Sequence, residues 1–451
     1  MMENREFVLK NKLAIVAAAI LAAGGVMVET ALNVTFPALT KVFNISLNDV
    51  QWVTTAYLLA VTVTMTISSY LTKRFGNKNV WIGANAGFIL GSILAGFAPS
   101  FSFLLLGRVL EGVSAGLAMP LMFNLILTLV PFDKIGTWMG IGSMVIGLAP
   151  SIGPTYGGAL VESLGWRSIF FTLLVIPALS ILIGIATIPA HSETNENLSF
   201  DFTSFFLLAF ALIAGILTVN QLESGSVNYV LLVLTIIALF LFIKVSLNSK
   251  KTFLNIHLFK VPSFTLLWIP VILYMFANLG LGLLLPNYLQ SVVHSSSLLA
   301  GFSLLPGTFI GALLTPLFGS LYDRIGSTKL LFAGNIRFAL ALLAMSLWAK
   351  NLTFMTIVLT YTLFTIGRTM SFSTGMTAAL VDVSPEEQSD GNAIIQAGQM
   401  FMAAAGTTVA ALFGSSSAGL ASGMQGFMWL LFVISLLIFV MFAVQAKKAQ
   451  K

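Results

Sequence analysis

LAIVAAAILAAGGVMVETALNVTFPAL, Leu13 to Leu39, is an apolar run in which Glu29 is the only charge. A helix needs about 20 apolar residues to cross a bilayer. This run exceeds that length. It is also too long for the apolar core of a leader peptide, and no small-residue cleavage site follows it. It therefore reads as a retained membrane-spanning helix. The composition extends that reading to the whole chain. Of 451 residues, 57% are hydrophobic and 8% charged, with a mean hydropathy of +0.97. A soluble domain carries about 25% charged residues, so the fold class is an all-α, polytopic membrane protein. Cysteine is absent, which excludes a disulfide framework, a thiol nucleophile and a Cys-based metal site.

Fourteen stretches can span: 13–38, 50–72, 79–98, 101–129, 136–161, 168–189, 202–222, 227–247, 263–286, 297–321, 328–348, 353–378, 391–413 and 424–445. An even count puts both termini on one side. With that side cytoplasmic, 16 of the 22 Lys and Arg fall in cytoplasmic segments, 3 in outer loops and 3 inside spans. This is the positive-inside asymmetry expected of a multi-pass plasma (inner) membrane protein. The net charge of +6 is thus a topology signal, and no nucleic-acid partner is expected.

Two connections echo one another. SYLTKRFGNK, Ser69 to Lys78, follows the second span, and GSLYDRIGSTK, Gly319 to Lys329, follows the tenth. Leu71/Leu321, Arg74/Arg324 and Gly76/Gly326 recur at an offset of 250. Such an echo marks a parallel repeat of two six-helix bundles. The expected division is a bundle over 1–190, an inserted helix pair over 191–250 and a second bundle over 251–451. The polar segment Ala190 to Asp201 closes the first bundle. Asn248 to Lys260 leads into the second as a mildly amphipathic surface segment.

GIGSMVIGLAPSIGPTYGG, Gly140 to Gly158, resembles the antiporter motif of the major facilitator superfamily, G-x8-G-x3-G-P-x2-G-G. Gly140, Gly153, Pro154, Gly157 and Gly158 fit, and Ala149 replaces one glycine. Small residues let helices pack closely in lipid, and a proline permits a bend. LLLGRVLEGVSAG, Leu104 to Gly116, is similar to the fourth-span motif, with Glu111 where Gln is usual. MVETALNVTFPAL, Met27 to Leu39, resembles the first-span motif through Thr30, Asn33 and Pro37, with the acid one residue late. QWVTTAYLLA, GWRSIFF and SLLAGFSLLPG resemble further segments of the fourteen-span drug:proton antiporter branch. The resemblance covers most of the chain. It implies the major facilitator fold, with two inserted helices and fourteen transmembrane helices. In the family's gating loop, G-x-L-x-D-R-x-G-R-K, Lys73 takes the Asp position and Ser69 the Gly position. The second copy keeps Gly319, Asp323 and Arg324. The resemblance assigns gating to Arg74, Asp323 and Arg324.

Of 16 acidic residues, only Glu29 and Glu111 lie well inside spans. Ionised groups in hydrocarbon are costly and mark functional sites. Glu29 lies about 24 Å along its helix, and Arg108 and Glu111 about 10 and 15 Å in from the outer side, so the three can meet. Burial raises a carboxyl pKa and a nearby Arg lowers it. Glu29 and Glu111 are therefore the expected proton-coupling residues, tuned by Arg108. Asn33, Trp52, Tyr57, Tyr274 and Tyr361 are expected to line the substrate cavity, and Met119, Met122 and Met144 to offer it an adaptable surface. Arg337 and Arg368 have no intramembrane acid at their depth. They snorkel to the interface or reach Asp382, Glu386 or Glu387, or else bind an anionic group.

No nucleotide-binding or zinc motif is present, and His191, His257 and His294 fall in loops. The expectation is therefore a transporter and not an enzyme. It is a monomer without cofactor or metal, driven by the proton gradient and working on small molecules and protons within the lipid bilayer. The reading favoured is proton-coupled efflux of hydrophobic or amphipathic compounds, cationic ones foremost. The alternative is a symporter importing a metabolite or organic anion.

Overall fold

The computed structural model describes residues 8–32, 35–190, 198–223, 228–249, 251, 253–295, 297–416 and 419–449. Asn33, His191 and most of the polar segment after Ala190 lie outside the described residues.

Twelve of the described helices are long and apolar enough to cross a membrane. One of them, Trp52–Gly96, breaks at Gly76 (φ 78°, ψ 158°) and covers two spans. Phe354–Val381, 28 residues long and rich in Thr and Ser, supplies a further one. The spanning helices are α1 (Leu9–Leu32), α2 (52–75), α3 (77–96), α4 (Phe101–Leu129), α5 (Ile135–Leu164), α6 (Arg167–Thr187) and α7 (Phe202–Glu223). They continue as α8 (Tyr229–Asn248), α9 (Pro262–Ser291), α10 (Leu305–Ile325), α11 (Ser327–Trp348), α12 (Phe354–Val381), α13 (Gln388–Gly414) and α14 (Leu420–Ala449). The architecture is two six-helix bundles, α1–α6 and α9–α14, with α7 and α8 added. We call the side from which α1 starts the terminal side, and the other the far side.

Three expected spans are interrupted, each near a proline. The described part of the first runs to Leu32, and a short helix, Phe36–Phe43, has Pro37 in its first turn. Proline has no N–H to give, which is tolerated in the first turn of a helix and disruptive further in. The sixth span breaks at Leu174, three residues before Pro177. The tenth is preceded by a separate turn, Ser297–Phe302, and restarts with Pro306 in its first turn.

The repeat is visible in backbone geometry. Gly326 (φ 74°) turns the chain between α10 and α11 as Gly76 does between α2 and α3, and positive φ is cheap only for glycine. Within the first bundle, backbones meet closely. A Cβ on Gly112 or Gly116 of α4 would collide with the α2 backbone at Tyr57 or Val61. In lipid such small-residue contacts supply the packing that water would otherwise drive. Helix α7 packs against both bundles. It meets α13, where Thr408 donates to the Val219 carbonyl at 3.1 Å, and its first turn adjoins Tyr70 of α2 through Phe200, with ring centroids 4.5 Å apart. Most large side chains of α8 face outward, as lipid allows. The lead into α9 is a short helical turn, Ile256–Lys260, anchored by buried Phe253, Leu254 and Leu258.

Candidate functional site

On the far side the two bundles part around a cavity of about 850 Å³. Gln51, Thr54, Thr55 and Leu58 at the start of α2 form one wall. Leu284, Asn287 and Ser291 at the end of α9, with Thr407 and Ala411 at the end of α13, form the other. No titratable side chain among the described residues lines it. Amides and hydroxyls interleave with leucines, so the chamber offers hydrogen bonds and apolar surface together.

On the terminal side the bundles are joined. Lys73 Nζ lies 2.7 Å from Asp390 Oδ2, with side-chain exposures of 27% and 5%. Ser69 donates to the same carboxylate and meets Ser389 at 2.9 Å. Lys73 replaces the family's acid, and its partner is an acid in the first turn of α13. In the second copy Asp323 accepts from the backbone N–H of Gly136 (2.7 Å) and Thr137 (2.8 Å) and from the Thr137 hydroxyl (2.6 Å). These donors open α5, where the helix dipole favours an anion. Deeper in the same seam, Asn392 of α13 donates to Pro120 O and Asn124 Oδ1 of α4, both at 2.9 Å. Among the described residues, Asp323 is the one expected gating residue that joins the two bundles. Arg74 instead holds the Tyr70 hydroxyl and the Leu198 carbonyl, each at 2.8 Å, and so ties down the strap leading to α7. Arg324 is exposed and engages no described residue.

The intramembrane charges separate into two environments. Arg108 and Glu111 are wholly buried and ion-paired. Arg108 Nε donates to Val53 O of α2 at 3.2 Å, and Ser92 of α3 donates to Glu111 at 2.7 Å. The pair fastens α4 to both neighbours. Glu111, the other expected proton-coupling residue, lies away from the cavity, and its oxygens are taken up by helix neighbours. Glu29 differs. It is half-buried in the last turn of α1 and makes no hydrogen bond or ion pair with a described residue. An acid there meets the negative end of the helix dipole, so Glu29 does nothing for the helix itself. Arg108 is the cation whose charge reaches it. Tyr57 stands between them, with its ring 4.2 Å from the Arg108 guanidinium. Its hydroxyl donates to the Gly25 carbonyl at 2.8 Å, one turn below Glu29.

The aromatic cavity residues expected from sequence are elsewhere. Tyr57 is the wedge just described. Tyr274 is buried against Phe338 and donates to Asn335 at 2.9 Å. Tyr361 stacks on Phe364, and all three tyrosines are buried between helices. Trp52 is 43% exposed and does not line the cavity. A tyrosine buries its ring wherever its hydroxyl finds an acceptor, and a carbonyl on a distant helix served for Tyr57. Arg337 is exposed and folds back on the Ala333 carbonyl of its own helix at 2.9 Å. Arg368 is half-buried and lies over Phe372 at 5.8 Å, with Nε unpartnered. Neither reaches Asp382, Glu386 or Glu387.

The antiporter-type helix α5 has two working faces. A Cβ on Gly153 or Gly157 would strike Thr30 or the backbone of Ala31, so these glycines seat α5 on α1 beside Glu29. Gly140 backs onto Thr315 and Pro316 of α10, and Gly136 onto Gly319, so the other end of α5 meets the second bundle. Gly158 has open space before it and Pro154 is exposed. These two do not share in the sealing contact expected of the motif.

The Major Facilitator Superfamily family model matches residues 16–407. The chain is 33% identical over 392 residues to the lincomycin resistance protein LmrB of Bacillus subtilis, covering 86% of this chain and 82% of that one. It is 28% identical over 367 residues to the riboflavin transporter RibZ of Clostridioides difficile, covering 81% and 79%. Among solved structures, the human organic anion transporter MFSD10 superposes with a TM-score of 0.67 at 16% identity, over 94% of this chain and 99% of that one. With fourteen spans in two bundles, a chamber between them and a family match along most of its length, the chain is a multi-pass membrane transporter of the major facilitator superfamily.

Proposed function

We propose that this transporter exports hydrophobic or amphipathic compounds, cations foremost, in exchange for protons. Alternating access between two faces is the mechanism. The observation that carries the reading is Glu29. Of the two carboxylates deep in the spans, it alone has no hydrogen-bond or ion-pair partner among the described residues. It sits at the far-side end of α1, where α5 packs through Gly153 and Gly157. A carboxylate free of structural duty can hold a proton or a cationic group, but not both, and that competition produces exchange. The resistance protein LmrB, at 33% identity, supports the outward direction. The Lys and Arg asymmetry puts the terminal side in the cytoplasm, so the structure corresponds to a state open outward and shut inward. The protein works as a monomer in the plasma membrane.

The test is dye efflux in vesicles with an imposed pH gradient. Wild type is expected to accelerate with the gradient. Glu29→Gln, which keeps the shape, is expected to stay folded and lose that acceleration. Wild-type rates indifferent to the gradient, or an unchanged response in Glu29→Gln, overturn the coupling.

A second reading rests on Arg368, whose Nε is unpartnered and which pairs with no acid among the described residues. In a symporter for an organic anion it would bind the substrate carboxylate. Arg337, turned out and held by its own helix, drops out of that reading. Substrate-driven uptake abolished by Arg368→Gln would favour it over efflux.

A further inference from the structure

The seam that closes the terminal side contains four unmatched amides. Asn392, Gln396 and Gln399 of α13 and Asn124 of α4 are each no more than 5% exposed. Each nevertheless keeps a buried polar atom without a partner among the described residues: Asn392 Oδ1, Gln396 Nε2, Gln399 Nε2 and Asn124 Nδ2. A buried polar atom left unmatched is costly, and an apolar residue of the same shape avoids the cost. A seam built only to stay shut would carry leucines here. The second observation is their placement. Positions 392, 396 and 399 are spaced by four and three, so they share one face of α13. That face is fixed at one end by the Asn392–Asn124 contact with α4. Continued by eight residues it reaches Thr407, and by seven more Gly414, both of which line the far-side cavity. One track therefore runs along α13, polar at Asn392, Gln396, Gln399 and Thr407 and small at Ala403, Ala410 and Gly414, open to the cavity at the far side and closed at the terminal side.

We propose that Asn392, Gln396, Gln399 and Asn124 form the hydrogen-bonding wall of a second cargo chamber, which opens to the terminal side when the seam parts. This rests on the transporter reading above. The amides that are orphaned in the closed seam gain partners once water or cargo enters. None of the four carries a charge. The wall therefore recognises neutral hydrogen-bonding groups on the cargo, such as aromatic amine, hydroxyl or carbonyl, and leaves charge to be read elsewhere.

The chain has no cysteine, so single-cysteine variants report directly. Gln396→Cys and Gln399→Cys are reacted with a membrane-impermeant methanethiosulfonate from the terminal side, with and without an imposed proton gradient. Ala393→Cys, fully buried and off the track, is the control. The expected result is labelling at least tenfold faster than the control in one of the two conditions. Labelling no faster than the control in both overturns the chamber, whatever the outcome of the Glu29→Gln test. A second measurement separates cargo recognition from packing. The double variant Gln396→Leu/Gln399→Leu is compared with wild type for efflux per folded molecule of ethidium, which has two amino groups, and tetraphenylphosphonium, which has no hydrogen-bonding group. Ethidium efflux is expected to fall at least tenfold, with tetraphenylphosphonium changed less than twofold and the melting temperature equal or raised. Equal loss for both probes, or loss for neither, overturns the recognition role.

Discussion

Replacing Lys73 by methionine removes the ammonium and keeps most of the stem, which isolates the charge on the terminal-side latch. At 2.7 Å the Coulomb attraction is about 6 kcal/mol at an effective dielectric of 20. Most of it is returned as the desolvation of Asp390, which is 5% exposed. A charge-assisted hydrogen bond is worth about 1.5–3 kcal/mol net, and the 27% exposure of Lys73 places this one near the lower end. Ser69 stays behind to satisfy one carboxylate oxygen. The expected loss is about 2 kcal/mol from the closed form, roughly a thirtyfold shift in the closed-to-open ratio.

The cysteine-free background allows spin labels at Phe75 and Ile325. Both are 48% exposed and occupy equivalent places beside the two gating turns. Pulsed electron resonance should show a longer distance population that grows in Lys73→Met. Charge reversal sharpens the test. Lys73→Asp should open the seam further by placing two carboxylates together, and Lys73→Asp/Asp390→Lys should close it again. Lys73→Met and wild type with the same distance distribution would refute the assignment of this pair as a latch.

On the other latch, Asp323→Asn should shift the same distances by about 1–2 kcal/mol, because an amide oxygen accepts less strongly from the α5 N-terminus and carries no charge for its dipole. Gly157→Ala, whose Cβ would enter the Ala31 backbone, should cost about 1–3 kcal/mol in thermal unfolding, and Gly153→Ala should behave alike. Gly158→Ala, with open space before it, should stay within about 0.5 kcal/mol. Asp201, ahead of α7, gives a pH signature. Burial pushes its carboxyl up, but hydrogen bonds from Ser249 and Ser204, with the charge of Lys251, outweigh that and hold it below the usual carboxylate range. Its contribution is complete above the ordinary aspartate pKa of about 3.9 and is lost as pH falls through the lower folded value. Wild type should therefore lose melting temperature in that acid window, and Asp201→Asn should start lower and lose less.

The membrane topology was legible because hydropathy and span length are local. The predicted span 101–129 coincides with α4, and the offset-250 echo placed both gating turns at glycines that do take positive φ. Breaks inside spans were legible only in part: Pro37 and Pro306 sit in the first turn of helices, whereas Pro120 and Pro154 sit inside unbroken ones. The site was harder for a physical reason. A tyrosine hydroxyl needs one acceptor, and the acceptor of Tyr57 lies 32 residues away. The burial of Glu111 had a local sign in Arg108 three residues earlier, a spacing at which the two can satisfy each other. Glu29 has no such neighbour in sequence, and it is the acid that pairs with no described residue. The partner of Lys73 lies 317 residues on. Nothing short of the packed bundles ties Asp390 to it.

The two latches look opposite in chemistry but meet one requirement. In the second copy the loop supplies the carboxylate, Asp323, and the receiving helix α5 supplies N–H groups. In the first copy the receiving helix α13 carries its own carboxylate in its first turn, Asp390. A second acid from the loop would then repel it, so the loop supplies a cation, Lys73, and a hydroxyl, Ser69. In both copies one negative charge sits at the start of the fifth helix of the opposite bundle, where the helix dipole stabilises it. The departure of Lys73 from the family pattern is thus compensated at Asp390. It also explains why Arg324 stands free: the Asp323 carboxylate is already met by three donors and needs no cation.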